Sequence, residues 1–232
     1  MNSNSIFSRK ILSSKRQIGL LSWYFVGWLV VVPLIVGLLL QLMNAYNEVN
    51  LLFFTYVIGA LVAIYLALPL LKAERKVNFG DAFRSILIVI GLLYLANIVI
   101  GGLISVLTET TTSANQEEVS AMFNQNMVLQ SIATVIFAPI LEEIVFRGVI
   151  FRDLRDKYGF MFSAIVSGVI FGLMHVLGSL ISGDMVDVVY IVLYAVMGVL
   201  FSKIYDDTQS IYAPIVGHAL YNGLSVLLMF LV

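Results

Sequence analysis

The chain has 232 residues, 60% of them hydrophobic and 12% charged, with a mean hydropathy of +0.99. A soluble domain carries roughly 25% charged residues, so this composition excludes a soluble protein and indicates a polytopic membrane protein. A net charge of −1 says little, but the absence of cysteine excludes disulfides, thiolate metal sites, a cysteine nucleophile, palmitoylation and prenylation.

Apolar runs predict an all-α fold, a transmembrane helical bundle of about seven spans. They fall at about 18–43, 51–71, 82–107, 128–150, 161–182, 186–202 and 211–232. The first run is too long for a signal-peptide core and is expected to be retained. No Ser/Gly linker or internal repeat divides the chain. A single integrated membrane domain is expected, with three spans and an external loop over 1–127 and a four-span core over 128–232.

The basic residues set the orientation. Arg9, Lys10, Lys15 and Arg16 precede the first span, and Lys72, Arg75, Lys76 and Arg84 lie between the second and third. Arg147, Arg152, Arg155 and Lys157 surround the end of the fourth, and Lys203 follows the sixth. With seven spans, all 13 fall on one side, while the opposite loops hold Glu48, Glu109, Glu117, Glu118, Asp184 and Asp187. The positive-inside rule then predicts a cytoplasmic N-terminus and an external C-terminus.

The first three spans carry no buried ionisable group. Trp23 and Trp28 read as interface anchors or lipid-facing bulk, and Pro33 and Pro69 as kinks or helix ends. The acidic stretch 108–126 reads as an external linker, although Val119, Met122 and Phe123 fall at helical spacing.

The fourth span breaks the apolar pattern with Ala138-Pro139-Ile140-Leu141-Glu142-Glu143-Ile144-Val145-Phe146-Arg147-Gly148. Each ionisable group in hydrocarbon costs about 2.5–3.5 kcal/mol on insertion scales, so such groups face a protein interior and are used there. Glu143 and Arg147, at i,i+4, share a face and can pair. Glu142 points about 100° away from them, free to act as a base or ligand. Pro139, one turn earlier, is placed to bend the helix or free a carbonyl.

The fifth span carries Phe171 and His175 on one face, with Gly168 and Gly172 offering a flat surface for close helix packing. The seventh carries His218 and Asn222 on one face, with Tyr221 off it. These are the only two histidines, and the polar groups of three helices are expected to meet in one lipid-shielded site. At 1.5 Å per residue, Glu142 and His218 lie at similar depths, roughly 12 and 10 Å from the cytoplasmic end, and His175 nearer 20 Å.

Glu142-Glu143…Arg147, Phe171…His175 and His218…Asn222, in that order and each on an expected span, resemble the CPBP (CAAX protease and bacteriocin-processing, or Abi) family of intramembrane proteases. The type II CAAX prenyl endopeptidases belong to it. The resemblance covers about 127–228 and implies a helical membrane fold with a cavity opening towards the cytosol. It implies hydrolysis of a peptide bond in or near the membrane. Glu142 and His175 would activate water, His218 and Asn222 would stabilise the oxyanion, and Glu143, Arg147 and Phe171 would support the site. A second view of the family makes it a zinc metalloprotease, with Glu142, His175 and His218 as ligands. Two histidines and a carboxylate suit catalytic zinc, and the same groups suit metal-free general-base hydrolysis. There is no His-Glu-x-x-His run.

The expected partners are membrane lipid and a peptide or protein substrate, with no nucleic acid, in a bacterial plasma membrane. The resemblance links such proteins to peptide maturation and bacteriocin self-immunity. The competing readings are a non-catalytic immunity or regulatory protein that binds a peptide or partner, and an ion or proton carrier.

Overall fold

The structure, a computed structural model, describes residues 6–73 and 77–229; Arg75 and Lys76 of the basic loop lie outside them. The helices are α1 (Ser14–Leu42), α2 (Glu48–Ala73), α3 (Phe79–Thr108), α4 (Ala114–Gln125), α5 (Met127–His175), α6 (Leu177–Ser182), α7 (Met185–Thr208) and α8 (Tyr212–Met229). A short 3-10 turn, Ile6–Ser8, precedes them, and no strand occurs among the described residues. Side-chain caps fix where several helices start. Ser13, Asn78, Ser113, Asn126 and Asp184 each accept a hydrogen bond from a backbone N–H in the first turn of α1, α3, α4, α5 and α7.

Among the described residues five helices, α1, α2, α3, α5 and α7, are long and apolar enough to cross a membrane, against seven expected. The 49-residue α5 accounts for one difference. It breaks at Gly159, whose φ of 77° and ψ of 176° are open only to glycine. Beyond that residue the chain folds back, so that the Ser167 hydroxyl donates to the Phe146 carbonyl at 2.9 Å. The expected fourth and fifth spans are thus two arms of a helical hairpin. The other difference is α8, which has 18 residues but whose apolar character is diluted by His218, Tyr221 and Asn222.

Apolar side chains from α1 to α8 share one core, from Leu20 and Tyr24 through Leu141 and Phe171 to Tyr221. The outer faces of α1, α2 and α3 leave Leu34, Leu61, Leu95 and Ile98 exposed, as a lipid-facing surface requires. Trp28 departs from the expected anchor role. It is buried, stacked on Tyr24 at 4.9 Å, while Trp23 donates to the Gly59 carbonyl at 3.0 Å.

The second arm of α5 meets α7 backbone to backbone. A Cβ on Gly168 would sit 2.5 Å from the Ala195 carbonyl oxygen, and one on Gly198 would sit 2.6 Å from Gly168 Cα. Glycine here replaces side-chain interdigitation with close approach of the two axes.

The bundle has two chemically distinct ends. At one, Arg152 donates to Tyr205 Oη and to the Ile6 carbonyl, Arg155 pairs with Asp206 at 2.6 Å, and Arg16 donates to the Leu66 carbonyl at 2.8 Å. At the other, Asp187 Oδ1 accepts from the Ala114 N–H at 2.8 Å, and the hydroxyls of Ser113 and Tyr194 lie 2.6 Å apart. The acidic stretch expected to be a linker is therefore built into the fold. Met122 and Phe123 of α4 are buried in it.

Candidate active site

Two π-helical turns, Ala133–Phe137 and Phe146–Phe151, bracket the α-helical segment that carries the two glutamates. Wide turns of this kind shift the register of backbone pairing. Here the Ala138 N–H bonds back to Ala133 O, five residues away. The next carbonyl, Thr134 O, would in that register look to the nitrogen of Pro139, which carries no hydrogen. Asn222 Nδ2 supplies the missing donor at 2.9 Å. The proline thus frees a carbonyl, and that carbonyl holds the Asn222 amide in place.

Glu143 and Arg147 pair as their spacing requires, Arg147 Nη1 to Glu143 Oε1 at 3.1 Å with both side chains fully buried. Arg147 Nη2 also donates to the Gly198 carbonyl at 2.9 Å, a contact that the glycine crossing makes possible. Its guanidinium lies 4.7 Å from the Phe171 ring centre and 5.4 Å from that of Phe201. Such desolvated cation–π contacts contribute about 2 kcal/mol.

The same Glu143 oxygen lies 2.9 Å from His218 Nδ1. A carboxylate held by arginine only accepts, so Nδ1 carries a proton and donates it, and Nε2 is turned towards Glu142. Nε2 lies 4.0 Å from Glu142 Oε2. That oxygen is buried without a hydrogen-bond partner among the described residues. Phe201 stacks on the His218 ring at 4.3 Å. His175 is fixed by the same logic. Its Nδ1 donates to the Phe171 carbonyl at 2.9 Å, which leaves Nε2 as the acceptor. Its ring packs between Phe171 at 4.3 Å and Tyr194 at 4.5 Å.

Glu142, His175, His218, Asn222 and Phe171 line one cavity of about 660 Å³. The helices of the second half thus bring the expected residues together, and the deeper position expected of His175 does not separate it from them. Glu143 and Arg147 lie behind the wall, beneath His218 and Phe171. Sequence reasoning missed three features. Glu143 was matched to Arg147 but not to His218. Tyr194, whose ring faces His175 while its hydroxyl accepts from Asn115 Nδ2 at 3.3 Å, was not singled out; its spacing of four from Tyr190 was the available signal. Tyr221, placed off the site, also lines the cavity and accepts from Asn97 Nδ2 at 2.7 Å.

The zinc reading needs Glu142, His175 and His218 around one ion. Among the described residues no group of three or more His, Asp or Glu is gathered closely enough to hold a metal. The 4.0 Å between His218 Nε2 and Glu142 Oε2 is wider than a closed ligand set, although each imidazole, anchored through Nδ1, keeps Nε2 available as a metal-binding histidine does.

Residues 124–224 match the family model described as type II CAAX prenyl endopeptidase Rce1-like. The chain is 36% identical over 104 residues to the membrane peptidase candidate YdiL of Bacillus subtilis, covering 45% of this chain and 38% of that protein. It is 36% identical over 102 residues to the membrane-embedded CAAX protease MroQ of Staphylococcus aureus, covering 41% of this chain and 37% of that protein. The chain therefore spans under two-fifths of the length of these curated relatives. No solved structure matches it. The matched segment holds Glu142, Arg147, His175, His218 and Asn222, and over residues 124–224 this integral membrane protein is similar to the type II CAAX prenyl endopeptidase Rce1-like family.

Proposed function

We propose that this protein is an intramembrane endopeptidase that hydrolyses a peptide bond in a membrane-associated peptide or protein. The observation that carries the reading is the presence, in the lining of one cavity, of Glu142, whose Oε2 has no hydrogen-bond partner among the described residues, and of two imidazoles whose Nδ1 atoms are both committed. Glu142, with the acceptor Nε2 of His175, takes a proton from water as its oxygen adds to the scissile carbonyl carbon. The tetrahedral oxyanion is stabilised by the Asn222 amide and by the Nε2–H of a His218 ring that enters the step with both nitrogens protonated. Glu143 at His218 Nδ1 balances the imidazolium charge, and Arg147 holds Glu143 in place. Collapse of the adduct breaks the C–N bond, and the proton held by Glu142 passes to the leaving amine. The assignments of Glu142, His175, His218 and Asn222 as catalytic, and of Glu143, Arg147 and Phe171 as supporting, rest on this geometry. Roles in peptide maturation or bacteriocin self-immunity follow from the resemblance.

The test is cleavage of a membrane-anchored, internally quenched reporter peptide by purified protein in lipid nanodiscs. Glu142→Gln, His175→Ala and His218→Ala should each abolish cleavage, while insertion and folding persist. Full activity in Glu142→Gln removes the general-base role. Activity lost to a chelator and restored by zinc overturns the metal-free mechanism.

A further inference from the structure

The cavity has a direction. Its inner wall is Glu142, Phe171 and His218, and its outer wall includes Thr111, Gln116 and Glu118, all three exposed. The outer wall belongs to the end of the bundle where Ala114 meets Asp187 and Ser113 meets Tyr194. The cationic side chains Arg16, Arg152 and Arg155 lie at the opposite end, held by the Leu66 carbonyl, the Ile6 carbonyl and Asp206 respectively. No described Lys or Arg lines the cavity, and its carboxylates are Glu118 and Glu142.

Two consequences follow from the charges. Cytoplasmic loops carry the Lys and Arg excess, so the end with the cavity mouth faces away from the cytoplasm. A carboxylate entering at the mouth finds no lysine or arginine to pair with and meets Glu118 instead. Burying it unpaired is costly, whereas a neutral or basic segment passes Glu118 without that cost. The two expectations of a cytoplasmic N-terminus and a cytosolic cavity mouth thus cannot both hold in this fold.

We infer that the cavity receives its peptide from the non-cytoplasmic face, and that the peptide is neutral or cationic where it passes Glu118. The substrate class is then a peptide segment on the outer side of the membrane, entered without capture of a free C-terminal carboxylate. This deepens the peptidase reading and rests on it for the word substrate, but the sidedness stands on charge and cavity placement alone.

The absence of native cysteine makes the test direct. Glu117→Cys and Met185→Cys place single thiols at exposed positions of the mouth end, and Lys157→Cys and Lys203→Cys at exposed positions of the basic end. In intact cells a membrane-impermeant maleimide should label the first two fully, and the last two only after permeabilisation. The reverse pattern overturns the inference, and because labelling needs no cleavage, it does so whether or not the peptidase reading survives. For the charge preference, Glu118→Lys should raise KM for a reporter with a basic flank at least fivefold more than it raises KM for a neutral reporter. Equal KM changes for the two reporters overturn the charge preference.

Discussion

Removing the Arg147 guanidinium tests whether the buried network behaves as a unit. Arg147→Met keeps most of the volume but leaves the Glu143 carboxylate, fully buried, with only the His218 N–H as partner. Breaking a buried pair from one side costs about 3–5 kcal/mol. Loss of the contact with Phe171 at 4.7 Å removes up to about 2 kcal/mol, partly returned by methionine packing. The Gly198 carbonyl adds little, because the Ser202 hydroxyl still donates to it at 3.0 Å. The expected loss is therefore about 4 kcal/mol. Glu143→Gln alone strands the arginine instead and should cost a similar amount. The double variant strands neither charge, so it should recover about 2–3 kcal/mol relative to the sum of the singles. Equilibrium unfolding in mixed micelles measures all four corners of the cycle. Additivity within about 0.5 kcal/mol would refute the claim that these residues share one charge-balanced network.

Other expectations are more local. Asn222→Ala orphans the Thr134 carbonyl and should cost about 1–3 kcal/mol; in a Pro139→Ala background, where a backbone N–H becomes available, unfolding measurements should show that cost shrink. Gly168→Ala drives a methyl group to 2.5 Å from the Ala195 carbonyl and should destabilise by about 1–3 kcal/mol. It should also lower kcat, because Arg147 loses its register with Gly198. Tyr194→Leu removes the ring stacked on His175, so with only two histidines in the chain, NMR of ring-labelled protein should show one imidazole shift and the other stay. Tyr194→Phe should leave both signals in place. It should raise KM several-fold by cutting the tie to Ser113 and Asn115.

What could be read from the sequence was what periodicity and cost dictate. Glu143 and Arg147 pair because four residues bring side chains onto one face, and His175 and His218 line one cavity with Glu142 because hydrocarbon offers them no other place. The helical class followed from apolar runs alone. Less was legible where register changes. Nothing in 133–137 announces a π turn, so the consequence of Pro139, a carbonyl handed to Asn222, appears only with the backbone in view. Trp28 was assigned to lipid because tryptophan prefers interfaces, but its stacking on Tyr24 needs a tertiary partner that composition does not name. The stretch 108–126 looked like a linker because its polar residues satisfy water as easily as they satisfy Asp187 and Tyr194.

The fold-back at Gly159 has a genetic corollary. A Cβ there would meet nothing within 4 Å, so by inspection of neighbours the position tolerates any residue. Its dihedral angles, with φ at 77°, admit almost none. Since the arms bearing Glu142 and His175 come alongside each other only through that reversal, random mutagenesis scored for inactive clones should return substitutions at 159 as readily as substitutions of the glutamate, from a spot on the molecule that touches no reactive group.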